Sequence, residues 1–154
     1  MDKRINLISE MLDLANEITW LNKPKLEEAI EGYPLNEIEL IEKIAKLPEP
    51  NVTKLAAASY LTRGAISKQT KKLLAKQLIE SYQKPENKKE LYFRLTEEGK
   101  RLNDRHQQLH QEFLKENEAV FEQMSADEFD TVFRFIGRFR EQLKKTAKKE
   151  DSTI

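Results

Sequence analysis

From Ile5 to Leu21 the apolar residues Ile5, Ile8, Met11, Leu12, Ala15, Ile18 and Leu21 recur at three- and four-residue steps, which predicts one face of an amphipathic helix. Lys23-Pro24 breaks or bends that helix, and Gly32-Tyr33-Pro34 marks a loop. Asn36-Glu37-Ile38-Glu39 has the Asn-x-x-Glu form of a capping box, so a helix is expected to start there. It carries Leu40, Ile41, Ile44 and Leu47 inward and stops at Pro48-Glu49-Pro50. Two short helices follow at about 53–59 and 62–77, with Leu55, Ala56, Leu61, Ile66, Leu73, Leu74 and Leu78 as the inner set. A link of about three residues forces a steep crossing, as in a helix-turn-helix.

Ile79 to Gln83 and Leu91 to Leu95 alternate apolar and polar residues around Pro85-Glu86-Asn87, the pattern of a hairpin. Its tip is rich in lysine. Thr96-Glu97-Glu98 caps a long helix running to about Gln123, and Ser125-Ala126-Asp127-Glu128 is a second capping box opening the last helix. There Phe129, Val132, Phe133, Ile136, Phe139 and Leu143 form an apolar stripe, and the chain from Lys144 to Asp151 is a charged tail. The fold class expected is mainly α with a small β-hairpin wing, a winged helix-turn-helix with N- and C-terminal helices.

Charge sharpens this picture. The 154 residues balance at 27 basic against 27 acidic side chains, yet residues 51–94 hold ten Lys/Arg and three Asp/Glu. Residues 1–50 are net acidic by five and 95–154 by two. A basic centre with acidic flanks suits a protein that turns one face to a polyanion. At 38% hydrophobic and 35% charged residues, the core is small enough that pairing with another copy would help complete it. The absence of cysteine excludes disulfides and thiolate ligands. With no apolar leader and no apolar run of membrane-spanning length, no membrane partner and a cytoplasmic location are expected. No Gly-rich phosphate loop or nucleophile motif is present, so no catalytic residue is expected and the chain does not read as an enzyme.

The segment Thr62-Arg63-Gly64-Ala65-Ile66-Ser67-Lys68-Gln69-Thr70-Lys71-Lys72 supplies the parts of a groove-reading helix. Small residues near its start, Gly64 and Ala65, let the backbone approach DNA, and Thr62 can cap it. Arg63, Ser67, Lys68, Gln69, Lys71 and Lys72 offer groups for base edges and phosphates. The hairpin adds Lys84, Asn87, Lys88 and Lys89. Double-stranded DNA is the expected partner. The alternative is a winged helix used only for protein or RNA interaction, which would predict an acidic or apolar recognition helix instead.

Residues 35 to 110 resemble the MarR family of bacterial winged-helix regulators. The resemblance is carried by Asn51-Val52-Thr53-Lys54-Leu55-Ala56, by Thr62-Arg63-Gly64-Ala65-Ile66-Ser67-Lys68, and by Leu91-Tyr92-Phe93-Arg94-Leu95-Thr96-Glu97-Glu98-Gly99. It implies a single MarR-type domain over 1–154, with a DNA-binding head at 35–99 and dimerisation helices at 2–22 and 100–146. It further implies a ligand-responsive repressor, a homodimer that binds a pseudo-palindromic operator. Ile5, Ile8 and Leu12 with Phe129, Phe133 and Ile136 are the expected dimer contacts. At the wing, where the family commonly has Asp-x-Arg, the matching residues are Asn87 and Lys89. Tyr60 and Gln77 stand where glycine is common, so a left-handed backbone there carries a cost.

His106 and His110 are the only histidines, and their i, i+4 spacing places both on one helical face. Zinc-responsive members of the MarR family are similar here, and the resemblance implies Glu39 as a carboxylate ligand. That branch has an acidic ligand where Arg105 stands. No cofactor is otherwise required, and two solvated histidines beside Gln107, Gln108 and Gln111 are the plain alternative. The competing effector that the resemblance implies is an apolar or aromatic small molecule between dimer helices and head, with Trp20, Tyr33 and Phe113 as candidates.

Overall fold

The computed structural model describes residues 2–152. Its elements run α1 (Lys3–Ala29), α2 (Leu35–Lys46), α3 (Val52–Ser59), α4 (Arg63–Ala75), β1 (Ile79–Lys84), β2 (Asn87–Leu95), α5 (Glu97–Glu116), α6 (Glu118–Glu122) and α7 (Ala126–Ser152). The chain divides into two compact units between Gln111 and Glu112. The core lies in the first unit, where Ile38, Ile41, Leu55, Ile66, Leu73, Leu78 and Leu102 have no exposed surface. No helix among the described residues is long and apolar enough to cross a membrane.

Pro24 does not end the first helix, which runs through it to Ala29. Proline deletes one backbone donor and strains the preceding turn. Beyond it, however, Ile30 is buried and Leu26 packs against the core, and that burial holds the last turn in place. The capping box expected at Asn36 also fails to form. The carbonyl of Pro34 already accepts from the N–H groups of Glu37 and Ile38 at 3.0 and 3.3 Å. Helix α2 therefore starts at Leu35 behind an extended Pro34, and Asn36 sits inside the first turn, where it cannot act as a cap.

The helix after Thr96 is also shorter than its pattern predicts. It stops at Glu116, and a separate turn of helix starts at Glu118. Asn117 leaves helical geometry at φ −111°, ψ 14°, and its side-chain amide donates to the Phe113 carbonyl at 2.8 Å. Such local side-chain bonds compete with the helix ladder. The second capping box does form. Ser125 Oγ accepts from the Glu128 N–H at 3.1 Å, while Glu128 reaches back to the Ser125 N–H at 3.3 Å.

The hairpin pairs Ile79 with Leu95 through Tyr82 with Tyr92, then shifts register so that Lys84 faces Asn87. Only Pro85 and Glu86 remain as the tip, so Lys88 and Lys89 belong to β2. Asn51 adds an isolated bridge to Tyr92, and the Phe93 N–H donates to the Pro50 carbonyl at 2.9 Å. These bonds tie the base of the hairpin to the entry of α3. Tyr60 and Gln77 are both left-handed, at φ 54° and 58°, as their positions suggest; each costs roughly 1 kcal/mol or more against glycine. Glu31 and Glu49 adopt the same region without a warning in the sequence.

Two helices end with apolar faces uncovered. No residue of α1 is buried, and Leu21 is 75% exposed. On α7, Phe133 is 66% exposed, and Val132, Ile136 and Leu143 are exposed as well. Burying such a side chain fully is worth about 1.5–3 kcal/mol.

Candidate nucleic-acid interface and sensing sites

Helix α3 ends in left-handed Tyr60, and Leu61 and Thr62 complete the link to α4. Thr62 Oγ1 accepts from the Ala65 N–H at 3.1 Å, the N-cap expected. Ile66, Thr70 and Leu73 form the buried stripe of α4. Thr70 tolerates burial because its hydroxyl donates to the Ser67 carbonyl at 3.0 Å. A stripe at those steps puts Gly64, Lys68 and Lys71 on the opposite face, at i, i+4 and i+7. All three are exposed, as are Thr62, Arg63 and Lys72; Ala65, Ser67 and Gln69 are half-buried at the flanks.

Pairing separates the cations of the basic segment into two sets. Lys54 donates to the Pro48 carbonyl at 2.9 Å, Lys76 binds Glu37, and Arg94 binds Glu80 at 2.7 Å. Lys84 is held by Glu49 and lies 4.9 Å from the centre of the Tyr92 ring. Its charge is therefore already met beside the wing tip, whereas its sequence position suggested a free wing cation. Its partner Glu49 is held below the ordinary carboxylate range, chiefly by the Lys84 hydrogen bond. Among the described residues, Arg63, Lys68, Lys71, Lys72, Lys88 and Lys89 have no carboxylate partner. At the wing, Asn87 Oδ1 accepts from the Lys89 N–H at 3.3 Å, which shapes the turn into β2.

The histidine pair is brought together with a carboxylate, but a different one from that expected. Donor atoms of Glu42, His106 and His110 lie within 4.8 Å of one another. Glu39 is exposed and outside that group, because α2 presents Glu42, one turn later, to α5. His106 is 5% exposed, and its Nδ1 has no hydrogen-bond partner; the nearest Glu42 oxygen, at 3.6 Å, is beyond bonding range. Burial, then the neighbouring His110, pushes the His106 pKa below its ordinary value. Partial burial raises the Glu42 pKa, but hydrogen bonds from Lys46 and Gln107 outweigh it and hold the carboxyl low. A neutral imidazole beside an ionised carboxylate is the protonation state a divalent cation needs. Arg105 instead pairs with Glu31, which Arg101 also holds at 2.8 Å.

A cavity of about 710 Å³ opens at the α1–α2 elbow, lined by Trp20, Lys23, Leu26, Ile30, Tyr33 and Leu35 among others. Trp20 and Tyr33 thus meet at one site, whereas Phe113 belongs to the second unit. Lys23 lies 5.8 Å from the Trp20 ring centre.

Known proteins share this fold. The MarR family profile matches residues 34–91. PchR, an HTH-type transcriptional regulator of Bacillus subtilis (strain 168), is 33% identical over 136 residues, covering 84% of this chain and 76% of PchR. YvnA, an HTH-type transcriptional regulator of the same organism, is 30% identical over 104 residues, which span 68% of this chain and 66% of YvnA. Streptococcus pneumoniae FabT, solved in complex with DNA, superposes with a TM-score of 0.77 at 16% identity, over 94% of this chain and 99% of FabT. At that identity the likeness to FabT is one of fold, a winged helix flanked by terminal helices. The identity to PchR extends it to sequence over most of both chains, and this chain belongs to the MarR family of transcriptional regulators.

Proposed function

We propose that this chain is a sequence-specific DNA-binding repressor that acts as a homodimer on a pseudo-palindromic operator and answers to a small effector. The observation that carries the reading is the segregation of unpaired cations onto α4 and β2, while the remaining cations of the basic segment are tied down. Arg63, Ser67, Lys68 and Gln69 would read base edges, Gly64 and Ala65 allow close approach, and Lys71 and Lys72 take phosphates. Asn87, Lys88 and Lys89 would reach the flanking backbone from the wing. The complex of FabT with DNA supports the same use of the fold. Residues 35–99 serve as the head, and 2–22 and 100–146 as dimerisation helices.

The exposed apolar faces of α1 and α7 support the dimer. Two recognition helices about 34 Å apart would enter successive major grooves. Placing aspartate at both Phe133 and Ile136 should leave a monomer in sedimentation. Losing the second head should also weaken operator binding about a hundredfold. A variant that remains a dimer would remove these residues from the interface. For the effector, the elbow cavity with Trp20 and Tyr33 suits an apolar or aromatic molecule.

The orphaned Nδ1 of His106 favours a second sensing reading, in which Glu42, His106 and His110 hold a divalent cation such as zinc. Tetrahedral zinc would draw donor atoms to roughly 3.4 Å apart, a modest closure from the present spacing. Bound metal would supply a fixed positive charge joining α2 to α5. Zinc at a hundredfold its Kd should then stabilise the protein by about 2.7 kcal/mol, reversibly with chelator. His106→Ala should abolish the rise in Tm. If zinc leaves the Tm of the unaltered protein where it was, the cation reading is lost and the cavity remains as the sensing site.

A further inference from the structure

We propose that the elbow cavity reports its occupancy to the recognition helix through Tyr33, Lys76 and Glu37. This deepens the effector-responsive reading and rests on it. Tyr33 lines the cavity and is half-buried against the core. The ammonium of Lys76 stands 5.6 Å from the centre of its ring. That same ammonium donates to both carboxylate oxygens of Glu37, at 2.8 and 2.7 Å. Lys76 is the C-cap residue of α4, next to left-handed Gln77. One side chain therefore fastens the end of the recognition helix to both the cavity wall and the start of α2.

The fastening is stiff because Glu37 has no alternative. Its side chain is 3% exposed, and among the described residues Lys76 is its only charged partner. A buried carboxylate stripped of its cation is strongly disfavoured, so Lys76 must follow Glu37. The contact with Tyr33 is the adjustable one, since a cation over a ring is held by a weaker and less directional attraction. A ligand packed against Tyr33 changes the ring's position or its exposed face. That alters how well Lys76 sits between its two partners, and with it the favoured position of the α4 terminus. Effector and DNA then bias the same element, which is what linkage between two sites requires.

The test uses the full chain and an aromatic anion, 8-anilinonaphthalene-1-sulfonate, as the probe. Trp20 is the chain's only tryptophan and lines the cavity, so its quenching reads occupancy. Probe affinity is measured with and without a saturating DNA duplex selected by the protein from a random pool. The two affinities should differ about fivefold or more in the unaltered protein. Glu37→Leu combined with Lys76→Met replaces both charges by apolar groups and leaves no buried carboxylate unpaired. This variant should bind the probe within about twofold of the original affinity, with DNA now making no difference. Lys76→Arg, which can still stack on Tyr33 and pair with Glu37, should keep the effect.

A double variant that retains the original factor overturns the wiring while leaving the effector-responsive reading intact. An unaltered protein whose probe affinity ignores DNA overturns both. A probe that leaves Trp20 unchanged removes the cavity from the mechanism, and loss of the effect in Lys76→Arg reduces Lys76 to a general structural role; each also overturns the wiring.

Discussion

Gly99→Ala is expected to destabilise the fold by about 3 kcal/mol or more, at the top of the range for overpacking. A methyl group built at Gly99 would lie 2.0 Å from the Leu78 carbonyl oxygen and 3.4 Å from Leu95 Cβ. The obstacle is backbone, so no rotamer change relieves it. Nor is the Leu78 carbonyl free to move, because it accepts from the Thr96 N–H at 3.1 Å. Thr96 is itself pinned, its hydroxyl donating to the Gln77 carbonyl at 2.7 Å and accepting from the Gly99 N–H at 3.1 Å. Shifting α5 outward would break this set of bonds and uncover Leu102, which has no exposed surface. Urea unfolding checks the point: the midpoint should fall with the slope unchanged. Gly64→Ala is the control, since its methyl would meet only Thr62 Oγ1 at 4.0 Å and a helical alanine is favoured by up to about 1 kcal/mol. Equal stability of Gly99→Ala and the parent would mean that α5 does not approach the Leu78 carbonyl so closely.

Arg63→Ala and Lys68→Ala should each weaken operator binding, by roughly 5- to 150-fold where the side chain reads a base, corresponding to about 1–3 kcal/mol. Thermal stability should scarcely move, because both side chains are exposed and without carboxylate partners. The two should differ in kind if one touches a base and the other a phosphate. Loss of a base contact relaxes sequence preference at one position, whereas loss of a phosphate contact lowers affinity for every sequence and makes the salt slope shallower by about one. Lys84→Ala is the informative comparison. Its charge is already met by Glu49, so its effect on DNA affinity should be small beside that of Lys68. If operator binding survives both α4 substitutions, α4 is not the recognition helix.

Features fixed by neighbours in sequence were legible in advance. The spacing of Ile66 and Leu73 defines the inner face of α4, and the caps at Thr62, Thr96 and Ser125 each depend on residues three positions apart, although the same kind of pattern at Asn36 forms no cap. The left-handed geometry of Tyr60 and Gln77 falls where the resembled family commonly has glycine. Features that depend on distant packing were not. Pro24 is tolerated because Ile30 finds a core built by other elements. Glu42 rather than Glu39 approaches the histidines because α2 meets α5 in one register only. Lys76 and Lys84 lost their apparent freedom to Glu37 and Glu49, which lie 39 and 35 positions earlier in the chain. A net charge counts cations without saying which remain available, and that distinction separates the expected DNA-contact set from the one proposed.

The most direct test of the central claim is a titration of the purified protein against duplexes selected from a random-sequence pool, at about 50 and 200 mM salt. Among the described residues of the basic segment 51–94, six unpaired cations predict affinity falling about a thousandfold or more between those concentrations, and the proposed two-headed arrangement predicts one preferred, near-palindromic sequence. Binding that ignores salt, or that treats all sequences alike, would contradict operator recognition and favour a winged helix whose partner is a protein or RNA.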